Sequence, residues 1–282
     1  MNGRLLSGLR FIALGLLVVV LPLTLGAAAA PRLVPAPQVG VIRFWTDIYY
    51  GTAQEAIEQL ALARDDPSIK AVVIIVDSPG GEVSSSEDLY LSVLHTREVM
   101  PVVVTVDWMA ASGAYLLSVA ADEIYAKPTS LVGNIGVIGY AGSPSFLEEE
   151  VLTTGPYKVF GGTQAGRVQQ MEVAKESFLA AVVAGRGERL VASADYLSRG
   201  EIFSGVQALE LGMIDGLIST DQAVERAAEL AGLRNYDTVD LWELTYPDRE
   251  SYFFGRVGGE REWTAVEELP PGLYYRYIEL PR

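Results

Sequence analysis

The chain has 282 residues, half of them hydrophobic, with no cysteine, one histidine and a formal net charge of −15. That length carries one substantial globular unit plus an anchor and an appendage. Without cysteine there is no disulfide, thiolate zinc site or cysteine nucleophile; one histidine leaves no histidine-rich metal site, and the acidity disfavours nucleic acid, whose phosphates need clustered Lys and Arg.

The N-terminus carries Arg4 and Arg10 ahead of an uncharged run from Phe11 to Pro31. Such a run is long enough to cross a bilayer as a helix. Basic residues before it favour an N-terminus left in the cytoplasm. "GAAAAP" also resembles a signal-peptidase cleavage site. Either way the remainder is expected outside the cytoplasm; the run's length equally suits an uncleaved single-pass anchor over 1–30, which is the favoured reading. Residues 31–38, "PRLVPAPQ", read as a Pro-rich linker.

Elements then alternate. "VGVIRF" (39–44) reads as a strand, 52–66 as a helix ending before Pro67, and "KAVVIIVDSPGG" (70–81) as an almost wholly apolar strand. Uninterrupted apolar runs of this kind belong to strands covered on both faces. A helix over 84–98 comes next, with His95 expected on its surface. "PVVVTVD" (101–107) is a second buried strand, and the next helix starts near Ala111. "DEIYA" (122–126), "NIGVIGY" (134–140) and "GPYKVF" (155–160) read as strands, and 169–187 as a long helix ended by glycine. The pattern predicts βαβ units and a mostly parallel α/β sheet. A globular unit over 39–232 is expected. From Arg234 aromatics and prolines dominate, and 233–282 reads as a strand-containing appendage or a partner-contacting tail.

In parallel sheets, sites lie at the carboxyl ends of strands. "DSPGG" and "MAASG" both occupy that position, after consecutive apolar strands. Ser112 stands in the second motif. It is either a small residue that lets a turn pack closely or a nucleophile. A serine hydroxyl needs a neighbouring base, and His95 is poorly placed to be one. A lysine can serve if desolvation keeps it neutral. Of the four lysines, Lys70, Lys127 and Lys175 read as surface residues. Lys158, flanked by Tyr157, Val159 and Phe160, suits either a desolvated base or an edge-strand lysine that blocks aggregation. Gly80 or Gly81 together with Gly113 could aim two backbone N–H groups at an oxyanion; a tight turn would use the same glycines.

Taken in order, "VDSPGGEVSSSEDLY", "PVVVTVDWMAASGAYLLSVAADEIYAKPTSLVGNIGVIG", "TTGPYKVFGG", "VVAGRG" and "FSGVQALELGMIDGL" resemble the signal peptide peptidase A family of bacterial serine proteases, within the ClpP/crotonase-like superfamily. The resemblance spans about residues 39–232. It implies a Ser–Lys dyad with Ser112 as nucleophile and Lys158 as base, and an oxyanion hole from Gly80, Gly81 and Gly113. It further implies no cofactor or metal, hydrophobic peptide substrates such as signal-peptide remnants, a bacterial cell membrane location, and a homo-oligomer whose sites are shared between subunits. Asn134 stands where members often carry a lysine-orienting serine; its amide oxygen could accept from neutral Lys158. Ala114 replaces a common glycine, and Thr153 replaces a lysine that often precedes the catalytic one. Two other functions are compatible with the fold: an inactive membrane scaffold, and a crotonase-like acyl-CoA enzyme, which the export signal and the lack of a basic pocket disfavour.

Overall fold

The computed structural model describes residues 13–26, 36–140, 154–155, 157–158 and 161–249, and the backbone of 272–276. Residues 13–26 form helix α1, with a π-helical stretch at Leu16–Val20. Its apolar side chains, among them Leu14, Leu17, Leu23 and Leu25, are exposed. Among the described residues no helix is long and apolar enough to cross a membrane. The expected anchor is thus described only over this part of its run.

The remaining elements, in chain order, are β1 (Gln38–Phe44), α2 (Tyr50–Asp65), β2 (Ile69–Ser78), β3 (Gly80–Glu82), α3 (Val83–Arg97), β4 (Val102–Ala111), α4 (Gly113–Ser118), β5 (Glu123–Ala126), β6 (Leu131–Gly133) and β7 (Ile138–Tyr140). Then come α5 (Gln164–Arg186), α6 (Ala194–Leu197), β8 (Ile202–Ser204), α7 (Gly205–Glu210), β9 (Gly216–Leu217), α8 (Thr220–Leu230), β10 (Asp237–Asp240), α9 (Leu241–Thr245) and β11 (Gly272–Arg276). The main sheet runs β10-β1-β2-β4-β5-β9, every neighbouring pair parallel. β6 continues alongside the carboxyl end of β4, and β8 pairs antiparallel with β6.

The apolar runs of β2 and β4 are buried because both sheet faces are covered. Alternate residues of a strand face opposite ways. Ala71, Val73 and Ile75 of β2 pack with Ala223, Ala227 and Ala228 of α8. Val72, Ile74 and Val76 join the larger core with Leu60 of α2, Leu89 of α3, Leu117 of α4 and Phe178 of α5. α8 starts with a capping box: Ser219 Oγ accepts from Gln222 N, and the Gln222 side chain accepts from Ser219 N. Two orphan amides of the first turn are thereby paired.

Three stretches differ from the sequence reading: of 134–140 only Ile138–Tyr140 is a strand, and 134–137 lies between β6 and β7. The described residues of 155–160 are not a strand: Tyr157 and Lys158 lie in a turn closed by Lys158 N–H to Gly155 O (3.2 Å) and Gly161 N–H to Tyr157 O (2.7 Å). Glycines at both ends of this short stretch make a turn compete with strand pairing here. Further on, Asp237–Asp240, within the stretch read as an appendage, extends the main sheet by pairing with β1, and Leu241 behind it is fully buried.

One ion pair ties the far end of α5 to the sheet. Arg186, with its side chain 1% exposed, forms a bidentate pair with Asp215 (2.8 and 2.9 Å), and its Nε donates to Gly212 O. Asp215 also accepts from Ile124 N–H of β5 and from Arg189. Burial pushes the Asp215 carboxyl up, but hydrogen bonds and charge from Arg186, with the Ile124 amide and Arg189, outweigh it and hold the group below the ordinary range. A depressed carboxyl adds stability above its unfolded pKa, and that stability is lost as pH falls through the folded value. Removing one partner of a buried pair strands the other charge, at about 3–5 kcal/mol. Arg186→Met is therefore expected to lose about 3–5 kcal/mol in urea unfolding at pH 7, with the deficit shrinking as pH falls through the carboxylate range; a deficit independent of pH would refute this account.

Candidate active site

The site forms where β4 ends. Ser112 is the first residue after β4 and the N-cap of α4, with φ 54° and ψ −121°. A non-glycine residue at positive φ stores strain of about 1–3 kcal/mol that the surroundings must impose. Here they do so from both sides. Ser112 N–H donates to Gly133 O of β6 at 2.7 Å. Its carbonyl accepts from Tyr115 N (2.9 Å) and Leu116 N (3.0 Å), the first turn of α4. The flanking Ala110, Ala111 and Ala114 are completely buried, so only small residues fit the bend. Tyr115 anchors α4 from below, its hydroxyl donating to Met213 O at 2.9 Å, and burial pushes that phenol well above its ordinary value.

Ser112 itself is 1% exposed, and its Oγ has no hydrogen-bond partner. A buried hydroxyl without a partner is costly and unusual enough to ask for a chemical reason. Gly113 N–H lies in the first turn of α4, where amides have no intrahelical acceptor. Register pairs Ser78 of β2 with Ala110, which brings the "SPGG" turn beside the serine's strand.

That turn needs its glycines. Gly80 has φ 92°, in the region that favours glycine. A Cβ on Gly81 would lie 1.8 Å from Ile48 O. Ile48 bridges β3 in parallel fashion: its N–H donates to Gly80 O (2.9 Å), and its carbonyl accepts from Glu82 N–H (2.8 Å). Gly80 N–H points to Ser78 Oγ at a long 3.2 Å. Strand alternation then turns the Gly81 N–H and C=O to the opposite edge of β3.

Asn134 also has positive φ, 55°. Its N–H donates to Glu201 O and its Nδ2 to Gly200 O, each at 2.8 Å. Committing Nδ2 to a carbonyl fixes the amide's orientation and leaves Oδ1 as the acceptor. Asn134 comes directly after Gly133, the residue that holds Ser112, so the loop before β8 buttresses the serine's bend.

Ser112, Gly113, Gly80, Gly81 and Asn134 thus gather around the end of the sheet. Lys158 is not hydrogen-bonded to Ser112, whose Oγ is unpartnered, and it is exposed in this single chain. Lys127 pairs with Asp107, Lys175 pairs with Glu172, and Lys70 and His95 are exposed. Among the described residues no group of three or more His, Asp or Glu side chains could hold a metal ion. Sequence reasoning missed Ile48, which acts through its backbone alone, and the pairing of β11 with β3; it expected a strand within 233–282 without placing it. For β11 the signal present was the β-prone "GLYYRY".

Comparison with known proteins matches residues 95–234 to Peptidase family S49 and residues 37–132 to Clp protease. Protease 4 of Salmonella typhi is 35% identical over 229 residues, covering 76% of this chain and 36% of that protein. The Synechocystis sp. protein slr0021 is 30% identical over 214 residues, 70% of this chain and 75% of its own length. Serine protease SPPA, chloroplastic, of Arabidopsis thaliana is 26% identical over 209 residues, 69% of this chain and 31% of that protein. The chain therefore spans only about a third of the length of Protease 4 and of the Arabidopsis protein. With two thirds of its sequence aligned to such relatives and the bend of Ser112 inside the matched region, the chain belongs to peptidase family S49, the signal peptide peptidase A family.

Proposed function

We propose that the protein is a serine endopeptidase in which Ser112 attacks a peptide carbonyl. The observation that carries this reading is the buried, unpartnered Oγ on a strained bend at the carboxyl end of a parallel strand. Strain of this kind persists only where the surroundings over-determine it, and it clusters at active sites. A sharp strand-to-helix turn lifts a serine out of the sheet to meet substrate.

In the proposed reaction Lys158, uncharged, takes the Ser112 proton. The alkoxide oxygen bonds to the carbonyl carbon, and the oxyanion is held by Gly113 N–H and by Gly80 or Gly81 N–H. Collapse expels the amine, which takes the proton back from Lys158, and leaves an acyl-enzyme. Water, deprotonated by the same lysine, releases the acid and regenerates Ser112. A solvated lysine titrates near 10.4, so a base on an exposed turn must be desolvated before it acts. Assembly would supply this, with Lys158 of one subunit meeting Ser112 of its neighbour in a homo-oligomer.

Substrates in this reading are extended apolar peptides with small side chains, such as signal-peptide remnants in the membrane. The uncharged run of 11–31 after Arg4 and Arg10 supports a single-pass anchor that holds the site outside the cytoplasm, near the bilayer. The exposed apolar surface of α1 accords with that.

A fluorophosphonate probe should label the wild-type chain and leave Ser112→Ala unlabelled; labelling of the variant would end the nucleophile assignment, and a well-assembled wild type that neither labels nor hydrolyses peptides would favour an inactive scaffold. Lys158→Ala should lower kcat about 10²–10⁴-fold, the usual contribution of a general base, and mixing it with Ser112→Ala should restore activity if sites are shared. Gly81→Ala should abolish hydrolysis in a chain that still folds, because its Cβ must drive Ile48 from β3; full activity would remove β3 from the site.

A further inference from the structure

Between the end of β1 and the start of α2 the chain passes Ile48 along β3. Ile48 belongs to no strand. Two main-chain hydrogen bonds hold it there, from its N–H to Gly80 O (2.9 Å) and from Glu82 N–H to its carbonyl (2.8 Å). Two such bonds, with no ladder continuing on either side, are a modest restraint. Yet the contact decides how Gly81 faces, because the groups of Gly80 and Glu82 that Ile48 occupies leave the Gly81 N–H on the other edge.

The side chain of Glu82 adds to this restraint. Its Oε2 accepts from Tyr50 N–H at 3.2 Å, in the first turn of α2, and from Ser85 Oγ at 2.7 Å, in the first turn of α3. Its carbonyl accepts from Ser86 Oγ at 2.7 Å. Glu82 thus grips the loop twice, by its amide at Ile48 and by its carboxylate at Tyr50, while Ser85 and Ser86 anchor it to α3. Neither helix has an acidic residue in its own first turn, and a carboxylate is the charge that a helix N-terminus favours. From the other side, Thr52 Oγ1 donates to Asp47 O at 2.7 Å and accepts from Tyr49 N–H at 3.1 Å. Thr52 makes the loop follow α2; Glu82 makes it follow β3.

We propose that Glu82 is a positioning residue: its carboxylate clamps Ile48 on β3 and so fixes the Gly81 N–H that meets the oxyanion. The proposal rests on the peptidase reading of Ser112 and adds to it a side chain that acts through Ile48. Misplacing a group by about 1 Å can cost on the order of 10²-fold in rate. A helix cap alone predicts something else: its loss lowers stability and leaves the folded fraction turning over at the wild-type rate. α2 and α3 share the larger core through Leu60 and Leu89, so the fold should survive a change at Glu82.

The test compares the full-length chain with Glu82→Ala, Glu82→Asp and Glu82→Gln. Steady-state hydrolysis of an apolar peptide substrate is measured alongside urea unfolding and hydrogen exchange at Ile48 and Tyr50. Glu82→Ala should lower kcat about 10²-fold with KM little changed, and should speed exchange at both amides. Glu82→Asp keeps the charge but loses one methylene of reach, and should show the same effects in part; if Glu82→Ala does not fold, it carries the comparison. Glu82→Gln keeps an acceptor oxygen at the original reach and should bring back both kcat and slow exchange. Unchanged kcat in the folded Ala and Asp variants, or a Gln variant as impaired as they are, would overturn the clamp and leave the peptidase reading standing. Fast exchange at Ile48 in Glu82→Ala and slow exchange in Glu82→Gln, in chains that hydrolyse nothing even as wild type, would uphold the clamp and sink the peptidase reading.

Discussion

One hydrogen bond, Ser112 N–H to Gly133 O at 2.7 Å, organises the candidate site. It joins the end of β4 to β6 at the point where the backbone turns through positive φ. Without it the bend would relax toward the ordinary helix N-cap geometry that Ser193, Ser204 and Ser219 adopt elsewhere in this chain, each in extended backbone with its hydroxyl on a helix amide. Ser112 differs from those caps in both respects: φ is 54°, and Oγ bonds to nothing. The fold holds this serine away from the partner its position would otherwise offer. Buried alanines and glycine around it allow the sheet, helix α4 and β6 to close on the bend without a larger side chain forcing them apart.

The second constraint is the approach of Ile48 to β3. A single residue outside any strand pairs with Gly80 and Glu82 and so fixes which way Gly81 faces. It can come that close only because position 81 has no side chain. Backbone donors oriented in this way do not reorganise when charge develops, which is the source of their value in acyl transfer. The same orientation gives β3 the edge that pairs with β11. One close contact therefore serves both the proposed oxyanion donors and the strand that lies against them.

Behind the site the Arg186–Asp215 pair does a different task. It lies where α5, β5 and the turn before β9 converge, and Tyr115 reaches Met213 O in that same turn. The floor under α4 is thus fixed by a buried charge pair and a buried phenol, not by apolar packing alone. Such pairs are weak arguments for net stability, but each partner requires the other, which specifies one arrangement of these elements.

Residue order alone was enough to establish the layered α/β class, the buried parallel strands β2 and β4, the surface position of His95 and the candidacy of Ser112. These rest on local rules: strand length, two-sided burial, and the small-residue turns at the carboxyl ends of strands. Local rules could not establish that Tyr157 and Lys158 turn instead of extending, that Asp237–Asp240 completes the sheet edge, or that Asn134 Nδ2 donates to Gly200 O. The polar "DTVD" carries no apolar run, so only its pairing with β1 makes it a strand. Least of all could spacing reveal that residues 272–276 lie between β3 and β7, far earlier in the chain. Strand pairing is a choice between distant edges, made by which backbone groups are left unpaired after the rest has folded, and that is known only once the three-dimensional arrangement has placed them.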